Sequence, residues 1–196
     1  MESIERFDYK GFVVKIYADD DLESPRKWDN LGTMVCFHGR YDLGDKPGEK
    51  HDWTKKDLSE FEKFLQHDNV ISLPLFLFDH SGITMSTDST NFHACDSHGW
   101  DWGQVGWIYV TKEDLRKEYG WKLITKARRE KILQYLVNEV TVYDQFLTGD
   151  VYYYLVINSK MSDEVVDSCC GFYGLEYAIE SAKDAVDYHF KKEEAA

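Results

Sequence analysis

Val151-Tyr152-Tyr153-Tyr154-Leu155-Val156-Ile157 is the stretch whose reading decides the fold. It is aromatic and β-branched throughout, a composition that suits a pleated, half-buried surface. Thr148-Gly149-Asp150 breaks the chain before it, and Glu164–Cys170 returns as its partner strand, so a hairpin through 158–163 is predicted. Gly171-Phe172-Tyr173-Gly174 then leads into a last helix with Leu175, Ala178, Ile179, Ala182, Ala185 and Val186 inward. Residues 191–196 are expected to fray as a tail of mixed charge.

Outward from that hairpin, three more segments read as strands: Gly11–Tyr17, Thr33–His38 and Gln104–Val110. Val70–Phe78 (VISLPLFLF) is a fourth, with Pro74 marking an edge, a bulge or a break because proline donates nothing to a ladder. One helix starts at Thr54, with Asp57 as a capping-box analogue and Leu58, Phe61 and Leu65 as its stripe. Another runs from Thr111 to about Tyr119, where Gly120 stops it. The longest spans Thr125 to about Phe146, with Leu133, Leu136, Val137, Val140 and Leu147 at helical spacing. Hairpin-like strand pairs without βαβ alternation predict α+β: a single domain over 1–196, a mainly antiparallel sheet, and about four helices packed on it.

The chain of 196 residues is 43% hydrophobic and 15% aromatic, enough for an ordered core. No apolar run approaches the ~20 residues that span a bilayer. Met1–Arg6 lacks the basic and apolar regions of a signal peptide, which makes a cytoplasmic protein the expectation. Cys36 and Cys95 stand alone, Cys169 and Cys170 are adjacent, and no C-x-x-C occurs, so free and mostly buried thiols are expected. The net charge of −13 disfavours nucleic-acid binding through a broad surface. Residues 111–149 are the exception at +2; there Lys122, Lys126, Arg128, Arg129 and Lys131 read as a solvated helix face or as phosphate ligands.

Three polar-aromatic clusters stand beside the strand segments: Trp28-Asp29-Asn30-Leu31-Gly32, Phe78-Asp79-His80-Ser81-Gly82 and Trp100-Asp101-Trp102-Gly103-Gln104. Large rings with fixed polar groups are what a concave, partly dry site needs. Trp28 reads as a lid on the core or a wall for a planar ligand, while Asp29 and Asn30 suit a tight turn. Asp101 and Gln104 can bond a base edge or a ribose while Trp100 or Trp102 stacks, or the segment is a structural turn. After the strand ending at His38, Arg40 suits a phosphate or pairs with Asp42 or Asp45.

His80 beside Ser81 invites a triad reading, which the lack of any G-x-S-x-G elbow opposes; His80 remains a turn histidine, a general acid or a ligand. His93–His98 offers imidazole and thiol to zinc, or is a small polar loop. Asp19-Asp20-Asp21-Leu22-Glu23 reads as a solvated turn, or as oxygens for calcium or magnesium through Asp19 and Asp21; it lacks EF-hand spacing.

These segments in this order resemble a family of proteins encoded by bacteriophages and other bacterial mobile elements. The matching stretches are Asp21–Gly32 (with Ser-Pro-Arg-Lys-Trp-Asp-Asn-Leu-Gly), Phe37–Asp42, Leu73–Thr84, Trp100–Val110, Gln145–Tyr154 and Val166–Glu176. The chain departs from the family pattern at Trp102, where relatives carry serine, and in the insertion-like Thr87–Gly99. The resemblance implies phage origin and host cytoplasm, and brings no activity with it.

Three functions follow as expectations. The first is a phage accessory protein that counters host defence by binding a small nucleotide-like ligand in an aromatic and acidic pocket. Its contacts are Trp28, Asp29, Asn30, His38, Arg40, His80, Ser81, Trp100, Asp101 and Gln104. The second is an acidic DNA mimic that blocks a host defence protein; under neither of these two readings is direct contact with nucleic acid or membrane expected. The third is a phosphoesterase dependent on a divalent cation.

Overall fold

The computed structural model describes residues 2–158 and 164–195. In chain order the strands are β1 (Glu5–Tyr9), β2 (Phe12–Ala18), β3 (Thr33–Cys36), β4 (Val70–Asp79), β5 (Ile83–Ser86), β6 (Trp102–Thr111), β7 (Val151–Asn158) and β8 (Glu164–Tyr173). The helices are α1 (Leu58–Leu65), α2 (Thr90–Cys95), α3 (Lys112–Tyr119), α4 (Lys126–Thr148) and α5 (Leu175–Glu194). The class is α+β, and every strand pairing is antiparallel, divided between two four-stranded sheets. By contacts the chain separates into two compact units, residues 1–23 with 148–196, and residues 24–147.

In the first unit the sheet runs β1-β2-β7-β8. The tyrosine-rich segment is an inner strand, with Val156 opposite Val14 and Tyr154 opposite Ile16. α5 lies on the face formed by Phe12, Val14, Ile16, Tyr154 and Val156, and seats Ala178, Ala182 and Val186 there fully buried. Two alanines one turn apart let the helix axis approach the sheet closely, so the predicted stripe holds. The helix continues to Glu194, past Lys191 where the sequence places the tail. The strand β8 also outlasts its prediction. Cys170 and Gly171 stand together opposite Tyr153, a bulge in which Gly171 takes φ +78, and pairing resumes at Phe172. Of the turn predicted through 158–163, residues 159–163 lie outside the described ones.

In the second unit the sheet runs β3-β6-β4-β5. Strand alternation sends Met34, Ile71 and Ile108 to one face, beneath Ile132, Leu136 and Val140 of α4. Their neighbours Val35, Val70 and Tyr109 face the other way, against Phe61 of α1. Phe37, Trp53, Phe64 and Trp107 complete that second layer, with Phe61 within 6.1 Å of each ring and of Tyr109. Leu58, predicted in the α1 stripe, is 37% exposed instead. Pro74 sits where β4 has a single neighbour, since β5 covers only Phe76–Asp79, and a bulge follows between Leu75 and Phe76.

The cysteines are free, as expected, but their burial is not. Cys95, Cys169 and Cys170 are exposed, the last two because they lie on the edge strand β8; Cys36 alone is partly buried. Burial and the nearby Asp45 carboxylate, opposed by Arg26, push the Cys36 thiol up to about 12. Burial likewise pushes the Tyr154 phenol up to about 12, with Asp167 and Cys169 adding to it. Because both groups stay protonated in the folded state after the unfolded chain has ionised, their contribution to stability is full below about pH 9 and declines from there towards pH 12. At pH 8 an aromatic disulfide reagent should titrate three thiols quickly and leave Cys36 until denaturant is added. Rapid native labelling of all four would contradict this placement.

Candidate functional site

Residues 24–147 enclose a cleft of about 750 Å³, bounded by the segment 25–31, the start of β3, the end of β6, α3 and one stripe of α4. Trp28 stands at its mouth, 47% exposed, and Tyr135 faces the space from α4, 38% exposed. Tyr109 and Tyr119 add two further rings, and burial raises both phenols, holding them neutral. Lys50 and Lys117 bring positive charge to the rim; Asp29 and Glu118 bring negative. Trp28 thus borders the cleft, and Asp29 lines the cleft beside it. Asn30 performs the turn role expected of it, donating to the carbonyls of Pro25 at 2.8 Å and Trp28 at 3.0 Å.

A buried ionic network underpins this wall. Arg26 is only 5% exposed. Its Nε donates to Asp45 Oδ1 at 3.1 Å, and its Nη2 to Asp45 Oδ2 at 2.9 Å and the Gly32 carbonyl at 2.6 Å. Its Nη1 donates to Glu139 Oε2 at 3.0 Å. Burial works against this guanidinium, yet the two carboxylates hold its pKa above the ordinary value. Each carboxylate also serves the backbone: Glu139 Oε1 accepts from the N–H groups of Leu31 and Gly32 at 2.9 and 3.0 Å, and Asp45 Oδ2 from Met34 N–H at 2.7 Å. Among the described residues no buried side-chain polar atom is left unpaired. Arg26 and Glu139 were not among the residues expected from sequence, and Asp45 was expected only as a partner for Arg40. One signal was there to find: Glu139 falls on the inward stripe of α4, between Leu136 and Tyr143.

The remaining expected residues gather at the opposite end of the same sheet, where β3 and β4 finish and β6 begins. His80 Nδ1 and Asp101 Oδ2 are 2.7 Å apart, and the Asp79 N–H donates to the Asp101 carbonyl at 2.7 Å. Asp79 accepts from Tyr41 Oη at 3.0 Å and Arg40 Nη1 at 3.2 Å. Arg40 thus pairs with Asp79, not with Asp42 or Asp45; Asp42 faces Lys46 and Asp45 is taken by Arg26. His38 stacks on Tyr41 at 5.1 Å. Ser81 takes φ +60 in the turn between β4 and β5.

Asp96 ties the loop after α2 by accepting from the N–H groups of His98, Trp100 and Asp101, which leaves the Trp100 ring 86% exposed. Gln104 lies exposed along β6. So Trp28, Asp29 and Asn30 share one location, and His38, Arg40, His80, Ser81 and Asp101 another.

Asp19 belongs to the other unit, where its Oδ2 accepts from Gly171 N–H at 3.1 Å in the β8 bulge. Asp21 is exposed nearby in sequence. Among the described residues no three His, Cys, Asp or Glu side chains converge as a metal would require. No helix of the described residues is long and apolar enough to cross a membrane.

The geometry defines an α+β protein with an aromatic cleft braced from beneath by buried charge. No protein-family model, curated protein or solved structure matches the chain.

Proposed function

We propose that the protein binds a small planar ligand of the nucleotide class in the cleft between segment 25–31, α3 and α4. The carrying observation is that two half-exposed rings, Trp28 and Tyr135, line a cleft whose rim holds Lys50 and Lys117. Rings supply stacking area at low entropic cost, and the lysines suit a phosphate. Bracing by Arg26, Asp45 and Glu139 supports the reading, since a wall fixed before binding loses less freedom on capture. Together with the family resemblance, this points to a phage accessory protein that counters host defence by sequestering a nucleotide signal.

The four nucleoside monophosphates, titrated calorimetrically, test it. Trp28→Ala should weaken the best of them about ten-fold, given the ~1–3 kcal/mol that one base–aromatic stack contributes. Asp101→Ala, at the far end of the sheet, should leave the affinity unchanged. Absence of binding to all four, or indifference to Trp28→Ala, would remove the proposal.

A further inference from the structure

The cleft does not end at Tyr135. Its α4 wall is the stripe Tyr135, Asn138, Glu139 and Val142, and stepping back four and seven residues on the same face gives Lys131 and Arg128. Lys131 Nζ lies 5.5 Å from the centre of the Tyr135 ring. Arg128 lies 4.6 Å over the Trp121 ring, which stacks at 4.5 Å on Tyr119, itself a cleft residue. Rings and cations therefore alternate from the cleft outward over the first turns of α4.

The charge agrees. Residues 112–131 hold eight Lys and Arg against four Asp and Glu, in a chain of net charge −13. Lys117 pairs with Glu113 and Lys126 with Glu130, whereas Lys122, Arg128, Arg129 and Lys131 have no ion pair among the described residues.

We infer that the cleft is the inner end of a track for a single-stranded nucleic acid, an inference that rests on the nucleotide reading of the cleft. One base stacks between Trp28 and Tyr135, and the following phosphodiesters pass Lys117, which exchanges its exposed Glu113 partner for a phosphate, and then Lys131 and Arg128. A mononucleotide would leave the outer cations unused. A duplex is disfavoured because its bases are already stacked, and because the anionic remainder of the protein repels a second strand. An acidic peptide matches the charge but offers no base-sized plane for the rings.

The test is fluorescence anisotropy of the full chain with a fluorescein-labelled, ten-nucleotide single strand of mixed sequence, beside titrations of nucleoside monophosphates. The single strand should bind at least ten-fold more tightly than any monophosphate. Three neutralised phosphates should give a slope of log affinity against log salt of about −2. Lys131→Glu, on an exposed side chain, should cut the single strand's advantage roughly ten-fold, Lys131→Gln should cut it less, and Tyr135→Ala should weaken both probes.

If monophosphates bind but the single strand binds no tighter, or without salt dependence, the track is wrong and the cleft reading stands. If neither binds, both fall. Binding indifferent to both Lys131→Glu and Tyr135→Ala would also overturn the track.

Discussion

Asp45→Ala should unfold the cleft-bearing unit at markedly lower denaturant, with a loss of about 3–5 kcal/mol. The substitution strips Arg26 of two of its four hydrogen bonds while leaving the guanidinium buried. Arg26 keeps its pair with Glu139, yet breaking a buried, hydrogen-bonded ion pair costs far more than the net worth of an exposed pair such as Lys117–Glu113, which contributes ~0–1 kcal/mol. Stability of a domain is only about 5–15 kcal/mol, so a loss of this size is readily measured by urea titration. Glu113→Ala is the matched exposed control. Asp45→Asn should fall between them, because the amide oxygen can still accept from Met34 N–H while the charge is gone.

The network also differs from one that an apolar trio could replace. Removing Arg26, Asp45 and Glu139 together would orphan the N–H groups of Leu31, Gly32 and Met34 and the carbonyl of Gly32. A triple apolar variant should therefore remain destabilised. A loss under about 1 kcal/mol for Asp45→Ala would show that the network contributes little.

That same network marks the boundary of what the sequence makes legible. Periodicity is local, and where burial follows periodicity the reading holds: the tyrosine-rich strand β7, the Ala178–Ala182–Val186 stripe, and the face of α4 through Leu136 and Val140. Arg26 reaches partners 19 and 113 positions away, and no local pattern distinguishes it from a solvated arginine. The strand β1 was missed because Glu5-Arg6-Phe7-Asp8-Tyr9 carries its charges outward and offers no apolar run. For β5 and α2 the segments are four and six residues long, too short to show a period.

The polar clusters were grouped as one site, and the structure places them at two locations. Each follows or precedes a strand, but strands in an antiparallel sheet finish at both ends. Sequence order alone does not say that Trp28 and Trp100 stand at opposite ones. The exposed thiols reflect the same limit: cysteine is usually buried, yet β8 is an edge strand, and edges follow from topology.

Gly106→Ala should be the most damaging single methyl in the chain, and its companion Gly103→Ala should be close to neutral. Both glycines lie on β6, three positions apart. At Gly103 an added Cβ meets nothing within 4 Å. At Gly106, opposite Cys36 in the ladder, the same atom would overlap the Val35 carbonyl oxygen and press within 2.9 Å of Val35 C and Cys36 Cα. These are backbone atoms of the neighbouring strand, so no rotamer change relieves the clash, and β3 must move away from β6. Overpacking of side chains costs ~1–3 kcal/mol; against a backbone, a cost at or above the top of that range is expected.

The consequence reaches the cleft, because Thr33 of β3 and Tyr109 of β6 face each other in the ladder and both line it. Displacing β3 would also pull Met34 from Asp45, so Gly106→Ala and Asp45→Ala should combine to less than the sum of their separate losses. Urea titrations of the two glycine variants and the double variant decide the matter. Equal stability of Gly103→Ala and Gly106→Ala would mean that β3 and β6 do not approach as closely as the ladder places them.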